Sequence, residues 1–435
     1  MVVFPQNVLI DLTKEVNSAC VKSIDRIILG LTKWRSKEKA KGVQASPMVQ
    51  IKGRDHDEAI GNMHNLFLQN KWGDGLSIIP ATKKRVDWIL RGTDLPRDTI
   101  IGKILPRGGI ANVEAIAVNL AMAGGRPEYL PVLISIIEAM CDPIYSLKRI
   151  NTTAQAHFPA VIVNGPIAKQ IRLSSGNSLL GPDPQQPAGA SIGRAITLIM
   201  QNMGGAVAGT GTMLQYGGMR HSNAVFAEDE DGLPLGWAPL SADWGYDEGS
   251  NVVTVTPVNS YQNIRLSFGI SDNNPVRNEE SIFNIAKIMA SPQKNQIIGG
   301  GPGKATNRNL ATGVLLINRN FAAALATVSR YSKADVRKLL WKNATIPWSV
   351  GVAAGWFETL KELKFTEGED INISPTPEQI RLVVAGGYRA GAQQACWMGG
   401  TSSISGTVMK QISALPQAWS ELLKQAEGDL GPVPL

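Results

Sequence analysis

The stretch MAGGRPEYLPVLISIIEAMCDP, residues 122–143, joins two apolar segments through a short polar corner. The Gly-Gly pair at 124–125 suits the left-handed end of one helix, because glycine adopts positive φ without strain. Pro127 suits the first turn of the next helix, where its fixed φ fits and its missing N–H is not needed. The stretch therefore predicts a helical hairpin with helices over 112–123 and 127–141.

After residue 250 the apolar segments become short, and helical segments separate them. The segments NVVTVTPV, NIRLSFGI, QIIGGG, GVLLINR and IRLVVAGG are typical of strands, and helices are predicted over 280–291, 320–328 and 332–342. Strands that alternate with helices favour βαβ units. The chain is thus predicted to be α/β, with a helix-rich N-terminal domain that contains a short sheet and a C-terminal α/β domain with a mostly parallel sheet.

The chain has 435 residues, which corresponds to two or three domains of about 100–200 residues each. Residues 14–41 carry apolar side chains at three- and four-residue steps, so they predict one long amphipathic helix. We expect this basic helix and a linker over 1–50, a helix-rich domain over 51–250 and a C-terminal domain over 251–435. The apolar stripe favours a homo-oligomer or hetero-oligomer that forms through residues 14–41.

Charge and cysteine content limit the partners. The net charge is +7, and five basic residues with one acid fall in KWRSKEKAK at 33–41. This run is typical of a solvated helix face, and no nucleic-acid-binding module accompanies it. Cys20, Cys141 and Cys396 form no Cys-x-x-Cys, which fits a reducing compartment. Without signal-peptide features or 18 uninterrupted apolar residues, we expect a soluble cytoplasmic protein with no membrane or nucleic-acid partner.

One segment is similar to a nucleotide-binding loop. GGGPGKATN at 299–307 departs from the pattern G-x-x-x-x-G-K-[ST] at two positions. Ile298 stands in place of the first glycine, and Ala305 follows Lys304. No G-x-G-x-x-G opens a helix with an acid about 20 residues later. We therefore expect no nucleotide cofactor.

The histidines leave a metal site open. None of the four histidines belongs to an H-x-x-x-H or H-E-x-x-H pattern. His157 directly precedes the predicted strand at 160–164. It could form a mixed site with Glu114 or Glu128, so a divalent metal is a possible cofactor, although the spacing does not require one.

The corner between the two helices carries the strongest polar signal of the first half. Arg126 and Glu128 stand at a helix N-terminus, where free backbone N–H groups attract anions. In a structural interpretation, Arg126 pairs with an acid and Glu128 caps the helix. In a functional interpretation, Arg126 holds a substrate carboxylate and Glu128 or Glu114 moves a proton.

Other polar residues follow strands or interrupt apolar helices. Asn164 and Gly165 end a buried strand, where ligands gather in α/β folds. Arg194 lies in an otherwise apolar helix, so its charge needs a partner. Gly386 and Gly387 close a second strand, where backbone amides can cradle an anion.

Cys396 is the thiol best placed for chemistry. It follows a strand and a glycine-rich turn, near the start of a possible helix and with Arg389 close by. Cys141 falls near a helix C-terminus, where the dipole disfavours a thiolate. Cys396 is interpreted either as a packing residue or as a redox thiol.

Several long motifs carry a resemblance to a known family. The motifs are SIIPATKKRVDWIL, NVEAIAVNLAMAGGRPEYLPVLISIIEAM, VIVNGPIAK, ASIGRAITLIMQNMGG, YSKADVRKLLWKNATIP and IRLVVAGG. With them the chain resembles the UGSC-like family, long bacterial proteins described as thiol–disulfide oxidoreductases, closely over 72–245 and loosely over 310–390. The resemblance implies a shared site in the first domain, at Glu114, Asn119, Arg126, Glu128, Asn164 and Arg194.

The chain departs from that family at its thiol and histidine motifs. It has no U/C-G-S-C stretch. Gln155 stands where similar sequences carry the histidine of Thr-Thr-His-Pro, and NRNFA stands where they carry Pro-Glu-His. The resemblance therefore implies either a different chemistry or a divergent, non-catalytic partner.

The function expected from these observations is an enzyme for a small anionic metabolite. It would cleave a carbon–heteroatom bond, as a lyase or hydrolase, by carboxylate acid/base catalysis. A thiol-dependent oxidoreductase acting through Cys396 and a non-catalytic subunit are the alternatives. The predicted catalytic residues are Glu114, Glu128 and His157, and the predicted substrate-binding residues are Asn119, Arg126, Asn164, Gly165, Arg194, Gly386 and Gly387.

Overall fold

The computed structural model describes residues 18, 21–25, 28, 29, 32, 48–266, 274–290, 313–353, 355, 357–362, 365–374, 376–387, 394–399 and 405–433. The chain separates into two units, Met1–Asn62 and Met63–Leu435. Of the helix predicted over 14–41, the few described residues are helical and the others lie outside the described residues. The strand predicted for QIIGGG also lies outside them.

The helices and strands alternate along most of the described chain. The helices are α1 His56–Asn70, α2 Lys83–Leu90, α3 Val113–Met122, α4 Leu130–Cys141, α5 Leu147–Thr152, α6 Ile167–Gln170, α7 Ala188–Asn202, α8 Leu240–Asp243, α9 Pro275–Met289, α10 Arg319–Thr327, α11 Lys333–Asn343, α12 Trp348–Ala353, α13 Phe357–Glu362 and α14 Trp419–Leu430. The strands are β1 Ile100–Ile104, β2 Gly109–Asn112, β3 Phe158–Asn164, β4 Ala224–Ala227, β5 Val252–Val258, β6 Gln262–Arg265, β7 Gly313–Ile317, β8 Thr345–Ile346, β9 Ile371–Asn372, β10 Ile380–Val384, β11 Gln394–Gly399 and β12 Val408–Gln411. The α/β class is confirmed.

The predicted helical hairpin is present as α3 and α4. The side chain of Asn112 caps α3 by accepting a hydrogen bond from the N–H of Ala115, at 2.8 Å. Gly124 ends the helix with φ of +78°. Pro127 then begins a short 3-10 turn that leads into α4, a helix buried along almost its whole length. The two local signals at this corner act as predicted.

Two four-stranded sheets form the centre of the larger unit. In the first, with the order β12-β5-β3-β4, only β3 and β4 are parallel. In the second, with the order β10-β7-β11-β6, only β10 and β7 are parallel. Both sheets are therefore mixed, whereas the alternation of strands and helices predicted a mostly parallel C-terminal sheet.

The short connection after β10 explains this difference. A parallel neighbour needs a crossover of a dozen or more residues to return the chain to the opposite edge of the sheet. Only residues 385–393 link β10 to β11, so β11 starts at the edge where β10 ends and runs antiparallel to β7. The connection from β7 to β10 contains α10 and α11, and that pair is parallel as predicted.

Alternate side chains of the strands build four layers. One face of the first sheet packs on α3, α4 and α7, and one face of the second sheet packs on α9, α10 and α11. The other faces pack against each other, because their apolar residues form one buried cluster. That inner cluster contains Phe158, Ala160, Ile162, Ala224, Phe226, Leu240, Val258, Val314, Leu316, Val383, Ala385 and Met398. The order of layers is helices, sheet, sheet, helices.

The domain boundary predicted at residue 250 falls between β4 and β5, and these two strands belong to one sheet. The same sheet takes β12 from the C-terminal part of the chain, through pairs such as Val408 with Val255.

No single helix among the described residues is both long and apolar enough to cross a membrane. Only together are the segments Pro127–Cys141 and Pro143–Thr152 long and apolar enough to cross a membrane, and the chain bends by 71° between them. In the structure, α4 is part of the apolar core.

Candidate functional site

The two parallel strand pairs end at a common edge. The N–H of Glu228, directly after β4, donates to the carbonyl of Val163 in β3 at 3.2 Å. The next N–H, of Asp229, donates to the carbonyl of Val384 in β10 at 2.8 Å. We call the residues that follow β3, β4, β7 and β10 the carboxyl edge. Ligands bind outside the carboxyl ends of parallel strands in α/β folds, so this edge is the expected location of a ligand site.

An ion pair joins the two sheets at the carboxyl edge. The Arg319 Nε and Nη2 atoms donate to the two carboxylate oxygens of Asp229, each at 2.7 Å. The Asp229 side chain is 6 % exposed and that of Arg319 is 44 % exposed. The bidentate geometry satisfies a nearly buried carboxylate and holds the start of α10 against the loop after β4.

Asn164 organises a second acidic group at this edge. Its Nδ2 atom donates to Glu228 at 2.7 Å and to Glu230 at 2.8 Å. The N–H of Gly165 also donates to Glu230, at 2.8 Å. Gly165 has φ of +90°, and a Cβ there would lie 2.5 Å from the carbonyl oxygen of Ser250. The two predicted binding residues therefore hold the loop that follows β4.

A buried lysine completes the charge balance behind this loop. The Lys333 Nζ atom donates to the carbonyl of Ala238 at 2.7 Å. It also lies 3.1 Å from Asp243 and 3.6 Å from Glu228. Lys333 is 4 % exposed, so two carboxylates and a carbonyl replace its water shell. This group ties α11 to the segment between β4 and α8.

A cavity of about 440 Å³ opens beside the ion pair. It is bounded by the loop at 176–181, by the ends of β7 and β10 and by the facing parts of β6 and β11. We call it the carboxyl-edge pocket. Its lining residues are Gly176, Asn177, Ser178, Leu179, Leu180, Gly181, Tyr261, Asn263, Leu316, Asn318, Ala385, Gly386, Gly387, Gln394, Ala395 and Cys396.

The described lining of this pocket mixes polar and apolar side chains and contains no charged side chain. Its side-chain amides come from Asn177, Asn263, Asn318 and Gln394. Such groups recognise a ligand by donating and accepting hydrogen bonds rather than by charge. A volume of this size accommodates a small metabolite.

Two side chains of the pocket, Tyr261 and Cys396, remain protonated at neutral pH. Burial raises the pKa of Cys396 to about 12, although a backbone hydrogen bond from Gln262 opposes the shift. Burial also raises the pKa of Tyr261, and the nearby Cys396 adds to that increase. Cys396 is therefore a thiol rather than a thiolate, which makes it a poor nucleophile.

Two glycines of the pocket, Gly386 and Gly387, are required for different reasons. Gly386 has φ of +106°, a conformation that a residue with a Cβ adopts only with strain, and the space around it is open. At Gly387, an added Cβ would lie 1.9 Å from the Asn177 Oδ1 atom. The turn after β10 and the 176–181 loop thus pack directly against each other, and the N–H of Gly386 donates to the carbonyl of Ser175 at 2.9 Å.

The Arg126 guanidinium has two carboxylate partners. Its Nε atom donates to Glu128 at 2.6 Å, and its Nη2 atom donates to Asp429 of α14 at 2.8 Å. The Glu128 side chain is 3 % exposed, whereas that of Asp429 is 57 % exposed. Burial opposes the charge on Arg126, but the two carboxylates outweigh burial and raise its pKa. The structural interpretation of Arg126 is correct in that it pairs with an acid, while Glu128 pairs with Arg126 and makes no capping hydrogen bond.

Three other predicted residues, Glu114, Asn119 and Arg194, have structural partners of their own. Glu114 is a surface residue that accepts from Arg97 at 3.0 Å. Asn119 donates to the carbonyl of Ala115 and accepts from Asn202, both at 2.9 Å. None of the three belongs to the pocket lining.

Arg194 is the third of these residues. It makes a bidentate pair with Asp74, at 2.7 and 2.9 Å. Burial favours the neutral form of Asp74, but hydrogen bonds led by that from Arg194 lower its pKa overall. The partner that the apolar helix required is therefore present.

His157 lies at the opposite end of β3 from Asn164. It is 2 % exposed, and the seven residues of β3 put about 20 Å between the two positions. Within the described part of the chain, no three His, Cys, Asp or Glu side chains are grouped in a way that could hold a metal ion. The mixed metal site of His157 with Glu114 or Glu128 is not formed among these residues.

The structure thus divides the predicted residues into separate groups. Gly386, Gly387 and Cys396 line one pocket, and Asn164 and Gly165 hold an adjacent loop. Several pocket residues could not be predicted from the sequence, because a single amide or phenol in a strand or loop has no distinctive spacing. These residues are Asn177, Tyr261, Asn263, Asn318 and Gln394.

No protein-family model matches this chain, and no curated protein matches it.

Proposed function

We propose that this chain is an enzyme that acts on a small metabolite bound in the carboxyl-edge pocket. One observation carries the proposal. A cavity of about 440 Å³ lies where the parallel strands β7 and β10 end, the edge at which α/β sheets bind ligands. Three predicted residues support the same location, since Gly386, Gly387 and Cys396 all line this cavity.

The proposed substrate is small and carries a carboxylate-like or other hydrogen-bonding group. The side-chain amides of Asn177, Asn263 and Gln394 can donate hydrogen bonds to its oxygens. A hydrogen bond from a neutral N–H donor is stronger when the acceptor is an anion, so these amides favour a carboxylate over a neutral group. Arg126 takes no part in this proposal, because it does not line the carboxyl-edge pocket and pairs with Glu128 and Asp429 instead.

The proposed reaction is cleavage of a carbon–heteroatom bond, of the lyase or hydrolase type. Tyr261, whose pKa is raised by burial so that the phenol is protonated at neutral pH, can give its proton to the heteroatom as that atom leaves with the electron pair of the broken bond. The phenolate then recovers a proton from the water that adds to the carbon in a hydrolase reaction, or from the neighbouring carbon in a lyase reaction. No carboxylate is present in the described lining, so Glu114 and Glu128 are not the acid and base for a substrate held here. The protonated Cys396 gives little support to a thiol-dependent oxidoreductase.

A ligand screen tests the binding part of the proposal. The probes are hydroxy acids and amino acids together with their amides, and the readout is the Tm of the full chain. A true ligand should raise the Tm of the wild type and of Asn343→Ala, whose side chain bonds the Leu339 carbonyl away from the pocket. It should raise the Tm of Asn263→Ala much less. Equal shifts in Asn263→Ala would place the binding elsewhere and reject the proposal.

Turnover of the ligand found in this way tests the catalytic part. Mass spectrometry of the incubated ligand should show a cleaved product with the wild type. Tyr261→Phe should keep the Tm shift and lose most of the turnover, about 10²-fold or more for a lost general acid. A bound ligand that never reacts would favour the non-catalytic alternative.

We also propose that the protein is a divergent UGSC-like protein that works in the cytoplasm and assembles through residues 14–41. The scattered cysteines support this location, since the described Cys141 and Cys396 are free. Cell fractionation tests the location. Light scattering of the chain without residues 1–45 tests assembly, and an unchanged oligomer would remove that helix from the proposal.

A further inference from the structure

We propose that a second anion site lies at the Arg126 corner, that it fits a small dicarboxylate, and that the C-terminal helix α14 occupies it with the carboxylate of Asp429. We define the Arg126 corner by Arg85, Trp88, Arg126, Tyr129 and Arg172. In this arrangement α14 is a built-in competitor for the site. The inference is independent of the function proposed for the carboxyl-edge pocket.

The two carboxylates on Arg126 differ in how firmly they are held. Glu128 is 3 % exposed and belongs to the turn that begins at Pro127, so it is a permanent partner. Asp429 is 57 % exposed and comes from α14, which is 303 residues away in sequence. An exposed carboxylate on a separate element can be replaced by a carboxylate from solution, because the guanidinium fork binds both in the same way.

The corner carries more positive than negative charge. Arg85 and Arg126 lie over the ring of Trp88, with guanidinium carbons 5.5 and 5.4 Å from its centroid. Burial lowers the pKa of Arg85, and the charge of Arg126 lowers it further, so the two cations repel each other. Arg172, which lies within electrostatic range of Tyr129, brings the corner to three guanidinium groups and two carboxylates, so departure of Asp429 leaves an excess of two positive charges. A dianion balances this excess.

Tyr129 supplies an unused donor at the same place. The residue is 1 % exposed, and its hydroxyl has no hydrogen-bond partner among the described residues. Burial raises its pKa and Glu128 raises it further, while Arg126 and Arg172 oppose them. The hydroxyl is therefore within electrostatic range of both arginines. A buried O–H without an acceptor is costly, and an oxygen of a bound anion can satisfy it.

The attachment of α14 combines a small apolar contact with several polar ones. Within this helix only Leu422 and Ala426 are buried, and Trp419 is half-buried against the apolar core. Arg172 donates to the carbonyls of Gly431 and Pro432, just after the helix. The start of the helix is held by Trp419, whose Nε1 atom donates to Gln170 at 3.0 Å. An element with two buried side chains can detach without opening the main core, because little apolar area is lost.

Malonate binding to the full chain tests the inference. Asp429→Asn removes the internal carboxylate and keeps the shape of the side chain. Glu427→Gln, on an exposed position of the same helix, is the matched control with the same change of charge. Isothermal titration calorimetry is performed with malonate and, as a neutral probe of similar shape, with malonamide. Circular dichroism confirms that each variant keeps its fold.

We expect Asp429→Asn to bind malonate at least about tenfold more tightly than the wild type, because the wild type must first release its own carboxylate. Glu427→Gln should bind like the wild type, and malonamide should not bind. Adding Arg126→Lys to Asp429→Asn should abolish the gain, because lysine lacks the planar fork. Equal malonate affinity in Asp429→Asn and the wild type would overturn the proposal. A gain that survives Arg126→Lys would also overturn it, since the anion would then bind elsewhere.

Discussion

Arg319 binds both carboxylate oxygens of Asp229 at 2.7 Å, and this pair connects the end of β7 to the end of β4. The two strands belong to different sheets, so the pair fixes the relative position of the two sheets at the carboxyl edge. Asn318, the residue between β7 and Arg319, lines the carboxyl-edge pocket. The same ion pair therefore supports one wall of the candidate site.

Loss of Arg319 should destabilise the protein. We expect Arg319→Ala to lower the free energy of unfolding by about 1–3 kcal/mol, because it leaves the nearly buried Asp229 carboxylate without its partner. Urea unfolding measures the change. The control is Lys169→Ala, which removes the exposed pair of Lys169 with Asp231 in the same acidic run. That change should cost less than about 1 kcal/mol, and equal losses would contradict the role given to Arg319.

Gly387 and Asn177 should be energetically coupled. Gly387→Ala forces the Asn177 side chain to move, since the new Cβ would lie 1.9 Å from its Oδ1 atom. Overpacking of this kind costs about 1–3 kcal/mol. Combining Gly387→Ala with Asn177→Ala should recover part of that loss, and a double-mutant cycle in urea measures the coupling.

Gly386→Ala serves as the comparison for this cycle. Its cost should come from backbone strain at φ of +106° and amount to about 1–2 kcal/mol. Because the space around Gly386 is open, Asn177→Ala should not reduce that cost. Coupling of Asn177 to both glycines, or to neither, would disprove the packing described here.

Lys333 should be essential for the stability of the segment after β4. Lys333→Met removes the cation shared by Glu228 and Asp243. Asp243 keeps Arg337 at 3.3 Å, whereas the fully buried Glu228 carboxylate loses its cation, so we expect a loss of about 3–5 kcal/mol at neutral pH. Lys338→Met, at an exposed position of the same helix, should have little effect. Denaturant titrations of the wild type and the two variants at neutral pH measure both losses, and equal losses would contradict the role given to Lys333.

Burial of Cys396 should make stability depend on pH in the alkaline range. Burial raises the pKa of its thiol from 9.0 to about 12 in the folded protein. Between these values the unfolded chain binds fewer protons than the native one. The free energy of unfolding therefore falls as pH rises through this window, by at most about 1.4 kcal/mol per pH unit for one group.

A comparison of variants separates the contribution of the Cys396 thiol to the pH dependence of stability from that of lysine and tyrosine side chains. Cys396→Ala should lose stability less steeply than the wild type above pH 9. Cys141→Ala should flatten the curve over a narrower window, because burial raises the pKa of Cys141 only to about 11. Identical slopes in the wild type and Cys396→Ala would mean that Cys396 titrates normally.

Local signals were sufficient for the individual elements. Thr82 accepts a hydrogen bond from the Arg85 N–H and caps α2. Gly124 and Pro127 define the corner between α3 and α4, because a left-handed φ and a fixed φ are properties of those residues themselves. The runs of apolar residues at β3 and β10 likewise indicate strands that are buried on both faces.

The grouping of side chains depended on the tertiary structure. Arg126 could be assigned a need for an acid, but its partner Asp429 lies 303 residues away and is chosen by the packing of α14. Gly387 and Cys396 share a pocket because β10 and β11 flank β7 on opposite sides, and this follows from the strand order. The sequence by itself therefore determined the α/β class and the helical hairpin, whose causes are local. Only the tertiary structure decided the strand directions, the ion-pair partners and the pocket, because these depend on contacts between residues distant along the chain.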